Sequence, residues 1–413
     1  MTDQTKVLTL DRVHQASHVL KDVVRKTELV PSSNMVSDCE LFLKQENLQV
    51  TGSFKVRGAY FKTAMLTEDE RARGIIACSA GNHAQGVALA AQRMGIPATI
   101  FIPSIAPLSK VEATKRYGAE IVIVDGVYDD AYEAARRYQE ESGGVFIHPF
   151  DDVDVIAGQA TIALELLSQV DDLDAVVVPV GGGGLISGIA FVIKMLNPQC
   201  KIYGVQAEDA NSMFVSLKKN ERTCSSSCST FADGIAVKEP GELTMCLCLD
   251  YVDEVVTVSD DEIATTILKL MESQKIVTEG AGAVATAAVV FDKFPVKGKR
   301  VCAIVSGGNI DVNILSRVIA RGLLTTGRLT DITLELLDKP GQLKEVSAII
   351  ADMGANVTQV RHNAGGENTD INGCYLHITM ETRNHEHLEQ VKQALRDAGY
   401  RIVEDQLTEK RSA

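Results

Sequence analysis

Lys55 lies in the segment Thr51-Gly52-Ser53-Phe54-Lys55-Val56-Arg57-Gly58-Ala59, and far down the chain comes Gly181-Gly182-Gly183-Gly184-Leu185. A lysine amine adds to an aldehyde as an imine when it is neutral. The segment after Lys55, from Arg57 to Met65, is helix-compatible. In the first turn of that helix the lysine's charge is opposed by the helix dipole and by burial. Four consecutive glycines cost more conformational entropy than a tight turn requires. They make sense where backbone N–H groups must curl around a phosphate with no Cβ in the way. No Lys-Ser or Lys-Thr follows the loop, and no third glycine stands where a dinucleotide fingerprint needs it, so the ATP and NAD readings fail. An imine-forming amine together with a phosphate cradle is what pyridoxal phosphate requires.

Two further loops extend the site. Cys78-Ser79-Ala80-Gly81-Asn82-His83-Ala84-Gln85-Gly86 follows an apolar strand and precedes a helix expected from Val87 to Arg93. At a strand's carboxyl end, the backbone and side chains of Ser79, Ala80, Gly81, Asn82 and His83 are placed to receive a substrate carboxylate. Asn82 can also bond the ring's phenolic oxygen. His83 is not assigned the proton transfer. Ser306-Gly307-Gly308-Asn309 follows another strand. A serine hydroxyl at the pyridine nitrogen can hydrogen-bond it without forcing protonation, which leaves a moderate electron sink suited to β-elimination.

The elements that must position these loops are legible. Short β-branched runs at 74–78, 98–102, 120–124, 145–147, 175–178, 202–206 and 301–305 alternate with Ala-rich helical stretches such as 129–140. This α/β alternation predicts open, mostly parallel sheets covered by helices. From Arg328 the rhythm changes. Strands at 329–336, 356–361 and 374–381, helices near 343–350 and 385–396, a flexible turn at 364–367 and a short strand at 400–404 give a ferredoxin-like tail.

Composition excludes other classes. The net charge of −14 argues against a nucleic-acid partner. The longest apolar run, 281–291, is too short to span a bilayer, and the N-terminus has no signal-peptide core, so a cytoplasmic location is the default expectation. Nine cysteines without secretory context are expected to be reduced. Cys224, Cys228, Cys246 and Cys248 fit no common zinc spacing and have no nearby histidine, and no metal is expected. Cys78, Cys248 and Cys302 read as small core residues.

The four quoted motifs, in this order and spacing, resemble the fold-type II (tryptophan synthase beta-like) pyridoxal-phosphate enzymes, and within them the threonine/serine dehydratases, over roughly residues 5–325. The resemblance implies that Lys55 is the Schiff-base residue and base. It places Phe54, Asn82, Gly181, Gly182, Gly183, Gly184, Leu185, Gly234, Glu279 and Ser306 around the cofactor, and Ser79 to His83 at the substrate. It also implies a closing subdomain over about 55–155 within a catalytic domain of 1–325. Asp338-Lys339-Pro340-Gly341-Gln342-Leu343 resembles an ACT domain, giving a regulatory domain over 328–405. Such domains pair across subunits and bind small effectors, here isoleucine or valine, or ADP or AMP, and a homodimer or homotetramer is expected. The implied activity is ammonia release from L-threonine, with L-serine as a second substrate.

Two rivals remain. Serine racemases, which share this body, use a serine where Ala80 stands, and a methyl group cannot hand over a proton. Their divalent-ion carboxylates are replaced here by Gln206 and Ser212, although Glu208 and Asp209 lie between. A non-catalytic amino-acid sensor is the second rival.

Overall fold

A computed structural model describes residues 8–106, 108–225, 228–364 and 372–403. The strands are β1 (Leu29–Pro31), β2 (Glu40–Gln45), β3 (Ile75–Cys78), β4 (Ala98–Pro103), β5 (Glu120–Val124), β6 (Val145–Phe146), β7 (Ala175–Pro179), β8 (Lys201–Ala207), β9 (Glu254–Val258) and β10 (Arg300–Val305), then β11 (Leu329–Leu337), β12 (Asn356–Ala364), β13 (Gly373–Glu381) and β14 (Arg401–Val403). They build three sheets, in the orders β1-β2-β10-β7-β8-β9, β5-β4-β3-β6 and β12-β13-β11-β14. Packing divides the chain into two compact units, Met1–Leu315 and Ser316–Ala413.

The first unit holds two sheets that are parallel except for the β1/β2 pair. Strands β7 and β10 are buried over nearly their whole length, as apolar runs in a sheet covered on both faces must be. The helices Val153–Gln169 and Gly184–Leu196 pack on the large sheet through Ile156, Ile162, Ile186, Ile189 and Val192. Cys78, Cys248 and Cys302 are buried in these cores.

Strands β1, β2 and β9 lie outside the expected runs; β1 and β2 carry no clear signal, whereas Val255-Val256-Thr257-Val258 of β9 is a β-branched run like the others. β2 reads Glu-Leu-Phe-Leu-Lys-Gln, yet Lys44 and Gln45 are buried in it, the Lys44 ammonium bonded inside the protein to the Thr27 carbonyl and Glu165. The helix expected from Val87 instead begins at Asn82, so the second loop ends at Gly81 and its Asn-His pair forms the first helical turn.

The second unit is a four-stranded antiparallel sheet with the helices Gln342–Asp352 and His385–Asp397. Leu334, Leu376, Ile378 and Met380 form its core with Val346, Ile350, Val391 and Leu395. The turn expected at 364–367 lies, beyond Ala364, outside the described residues, as does Glu404. No helix of the described residues is long and apolar enough to cross a membrane.

Candidate active site

Loops from the carboxyl ends of several parallel strands converge in the first unit. Lys55 is the first residue of the helix Lys55–Ala64, with Phe54 as its N-cap. The preceding turn is tied to the loop after β10: Ser53 and Gly307 form a bridge, Phe54 N–H donates to the Ser306 carbonyl at 3.1 Å, and Gly308 N–H donates to the Gly52 carbonyl at 2.8 Å. Gly52 has a φ of +73°, and a Cβ there would lie 2.3 Å from Asn309 Oδ1. Glycine alone permits both that backbone and that approach.

The Lys55 ammonium donates to the Pro149 carbonyl at 2.7 Å and lies 5.3 Å from the centre of the Phe54 ring. Burial lowers its pKa to about 8, against the opposing pull of Glu279. An amine so placed exchanges between charged and neutral forms near physiological pH. Because only the neutral form attacks a carbonyl, reconstitution of the cofactor-free protein should accelerate with pH and level off above about 8. Rapid-mixing absorbance measurements check this, and a rate independent of pH below that point would contradict it.

Pro149 connects the amine to the glycine loop. The next residue, Phe150, packs its ring against Gly182 and its backbone against Gly184, where added Cβ atoms would come within 2.5 and 2.8 Å. Gly183 takes a φ of +99° and forms the N-cap of the helix Gly184–Leu196 without any side-chain cap. Thr244 Oγ1 donates to the Gly182 carbonyl at 2.6 Å, holding the loop from behind. Gly182 to Leu185 are buried, and Leu185 sends its side chain into the core, so what it offers the loop is backbone. A buried helix N-terminus lined by glycines leaves its first N–H groups for an anion. Gly181 is less buried, with a Cβ position 3.0 Å from Ile235 Cα.

Asn82 opens the helix that follows the second loop. Its Nδ2 donates to Glu279 Oε1 at 2.6 Å, and its Oδ1 accepts from Asn309 Nδ2 at 2.7 Å. Asn309 also donates to the Thr51 carbonyl at 2.8 Å, closing a ring of contacts back to the lysine turn. Glu279 is buried, its N–H bonded to the Gly307 carbonyl, and its Oε1 lies 3.5 Å from where a Gly234 Cβ would be. Burial, then the charge of Asp233, raises its pKa to about 7, while Lys110, Asn82 and Lys55 oppose the rise. Ser306 Oγ is buried and donates to the Ala281 carbonyl at 3.2 Å; its rotatable hydroxyl can instead turn its proton to an acceptor such as a pyridine nitrogen.

The remaining residues of the second loop are disposed differently. Ser79 Oγ accepts from Gly81 N–H at 3.1 Å, and nothing stands within 4 Å of the Gly81 Cβ position, so space is open in front of the uncapped N-terminus of the helix Asn82–Met94. The Ala80 methyl packs on the core of the small sheet. His83 stands apart. Its Nε2 is 2.8 Å from the Ile147 carbonyl, and burial, then the Lys55 charge, lowers its pKa to about 3, so the ring is neutral and not a proton donor. His148 is also neutral, for its Nδ1 accepts from Asp151 N–H at 2.7 Å.

Lys55, Phe54, Asn82, Gly234, Glu279 and Ser306 are therefore joined to one another by short contacts, and Gly181 to Gly184 face the same region through Pro149-Phe150. Sequence reasoning gave no role to Asn309, Pro149, Phe150 or Thr244. Asn309 belongs to the quoted Ser-Gly-Gly-Asn motif, and 148–150 follow β6, so asking what each strand-end loop offers would have found both.

The residues fit pyridoxal phosphate: a half-buried amine of lowered pKa, a glycine-built helix N-terminus that a Cβ would obstruct, and a neutral hydroxyl from the loop after β10. Comparison with known proteins bears on the same question. A family model described as pyridoxal-phosphate dependent enzyme matches residues 20–307, and an ACT domain model matches residues 325–399. An L-threonine ammonia-lyase of Thermotoga maritima is 50% identical over 96% of this chain and 99% of its own length. The chain belongs to the pyridoxal-phosphate-dependent threonine ammonia-lyase family. A second member, the L-threonine ammonia-lyase of Geobacter sulfurreducens, is 43% identical over 94% of this chain and 98% of its own. Among solved structures, threonine deaminase isoform 2 of Solanum lycopersicum aligns with a TM-score of 0.72 at 37% identity, over 76% of this chain and 94% of that one. Maize serine racemase aligns with a TM-score of 0.71 at 36% identity, over 76% of this chain and 98% of that one. The family's fold-type II architecture with a C-terminal ACT domain is the fold described above.

Proposed function

We propose that this protein releases ammonia from L-threonine, giving 2-oxobutanoate, and acts on L-serine, giving pyruvate, more slowly. Bound at the site, pyridoxal phosphate supplies the electron-withdrawing ring that makes an amino acid's Cα–H acidic. The chain's residues do the rest. Gly181 to Leu185 hold the phosphate at the helix N-terminus. Ser79 to His83 receive the substrate carboxylate, His83 through its backbone N–H in the first turn of the helix Asn82–Met94 rather than its ring, and Asn82 adds a hydrogen bond at the ring of the cofactor. Lys55 would hold the cofactor through its amine and, once that amine is free, would take the substrate's Cα proton. The electron pair of the Cα–H bond stays on carbon, and the Cβ–O bond breaks with its pair on oxygen, which takes up one proton, balancing the one Lys55 gains, and leaves as water; a second water hydrolyses the released enamine to keto acid and ammonia. Ser306 offers the pyridine nitrogen a neutral partner, favouring elimination over chemistry that needs a stronger sink.

The observation that carries this reading is Ala80. A racemase must supply a proton from the face opposite Lys55, and the position that serves there in serine racemases is held here by Ala80, a half-buried methyl packed against the small sheet's core. The structure also supports the absence of a racemase-type metal at 206–212: Gln206 Oε1 accepts from Phe214 N–H at 2.8 Å, and Ser212 Oγ donates to the Val237 carbonyl at 2.8 Å. Incubation of the holoprotein with L-threonine and L-serine should yield keto acid and ammonia in equal amounts. Abundant D-serine with little pyruvate would overturn the lyase reading, and absence of both products would favour a sensor.

The reading extends to the whole chain: a catalytic domain over 1–325 with a closing subdomain over about 55–155, and a regulatory domain over 328–405, in a cytoplasmic homodimer or homotetramer. An effector at the regulatory domain acts only through unequal affinity for two states of the enzyme. Threonine turnover measured with isoleucine, valine, ADP and AMP tests regulation, and kinetics unchanged by all four would remove it.

A further inference from the structure

We propose that the second unit carries a transition-metal site of the zinc class, formed by Asp338, His362 and Cys374. Their ligand atoms all lie within 4.8 Å of one another. The side chains come from one end of the sheet. Cys374 is on β13, paired with Leu336 of β11 on one side and Ala364 of β12 on the other. Two residues past Leu336 is Asp338, whose N–H donates to the Asn372 carbonyl at 2.8 Å, and two residues before Ala364 is His362. Hydrogen-bonded strands thus fix the spacing of all three ligands, which a surface loop would not do.

Cys374 closes the inward row of β13, after Leu376, Ile378 and Met380, and is 1% exposed. At the polar end of that row stand Asp338 and His362, both exposed, with His362 Nε2 3.5 Å from Asp338 Oδ1. A buried thiol beside a carboxylate and an imidazole is a mixed sulfur, nitrogen and oxygen donor set. That combination suits zinc or cobalt(II) and is wrong for magnesium or calcium, which take oxygen donors. A cysteine ligates such an ion as the thiolate, so cation binding displaces a proton from Cys374. With three protein ligands among the described residues, the fourth tetrahedral position falls to water. Asp338 and His362 have 23 residues between them, and His362 and Cys374 have 11, which is why no zinc spacing announces them.

The test uses the full-length holoprotein after chelator treatment, titrated with cobalt(II). The expected result is one ion per chain, with a thiolate-to-cobalt charge-transfer band and tetrahedral visible bands in the difference spectrum, both abolished by excess zinc. Cys374→Ser should remove the charge-transfer band. His362→Ala, at an exposed position that folding does not depend on, should weaken binding by more than ~10-fold, the least that even outer-shell changes cost. Both variants should keep threonine turnover. No stoichiometric cobalt binding by the parent protein, or bands that survive both substitutions, would overturn the site and leave only a surface His–Asp pair beside a core cysteine.

Discussion

Replacing Lys55 with alanine is expected to eliminate the covalently linked cofactor's visible absorbance and to lower threonine turnover by at least ~1,000-fold, since one residue serves as both attachment point and base. The amine is positioned by several independent constraints: the bridge of Ser53 to Gly307, the Phe54-to-Ser306 hydrogen bond, and the Pro149 carbonyl that accepts its hydrogen bond. An alanine at the first position of the helix Lys55–Ala64 disturbs none of the backbone bonds, so the variant should fold and bind cofactor noncovalently. Spectra and steady-state rates measured side by side check the prediction. Retained absorbance with normal turnover would remove Lys55 from the chemistry.

Arg57→Ala should produce the largest loss of stability, about 3–5 kcal/mol. Two residues into the same helix, the Arg57 guanidinium is fully buried and reaches Glu46 at 2.8 Å through both Nε and Nη2, Glu165 at 2.7 and 3.0 Å, and Thr161 at 3.2 Å. Lys44, equally buried, donates to Glu165 at 2.7 Å and to the Thr27 carbonyl at 2.7 Å. Two cations and two carboxylates thus balance in a region without water access to Glu46. Burial alone would raise the Glu46 pKa, but the charge and hydrogen bonds of Arg57 overcome it and hold the carboxyl below its ordinary range. Removing the guanidinium leaves that buried carboxylate short of its main partner, which costs far more than a surface pair would. Arg57→Lys should recover only part of the loss, because an ammonium cannot serve both carboxylates as a planar fork does. Urea unfolding of the cofactor-free proteins measures this, and a loss under ~1 kcal/mol for the alanine variant would contradict it.

The difference between these two neighbours shows what the sequence could and could not convey. Lys55 was legible because its chemistry demands a lysine next to particular loops, and each loop followed an apolar strand with glycine, serine or asparagine at its end. Arg57 stands in the same motif, but its partners Glu46 and Glu165 are 11 and 108 residues away, and no local pattern marks a long-range charge pair. Strand β2 was obscured for the same reason, since Lys44 reads as polar until Glu165 is known to face it. Asn82 was identified from its place in the loop, whereas its bonds to Glu279 and Asn309 depend on how the strand ends meet. The tail was easier. Its strands alternate cleanly because the sheet has a buried helix-covered face, and β13 repeats buried and half-buried residues along nearly its whole length.

The central claim is that the Lys55 amine carries the cofactor whose phosphate sits on the glycine-lined helix N-terminus. Borohydride reduction of the holoprotein, followed by proteolysis and mass spectrometry, tests it most directly. The account predicts a single phosphopyridoxyl adduct on the peptide containing Lys55; an adduct on any other lysine, with Lys55 recovered unmodified, would contradict it.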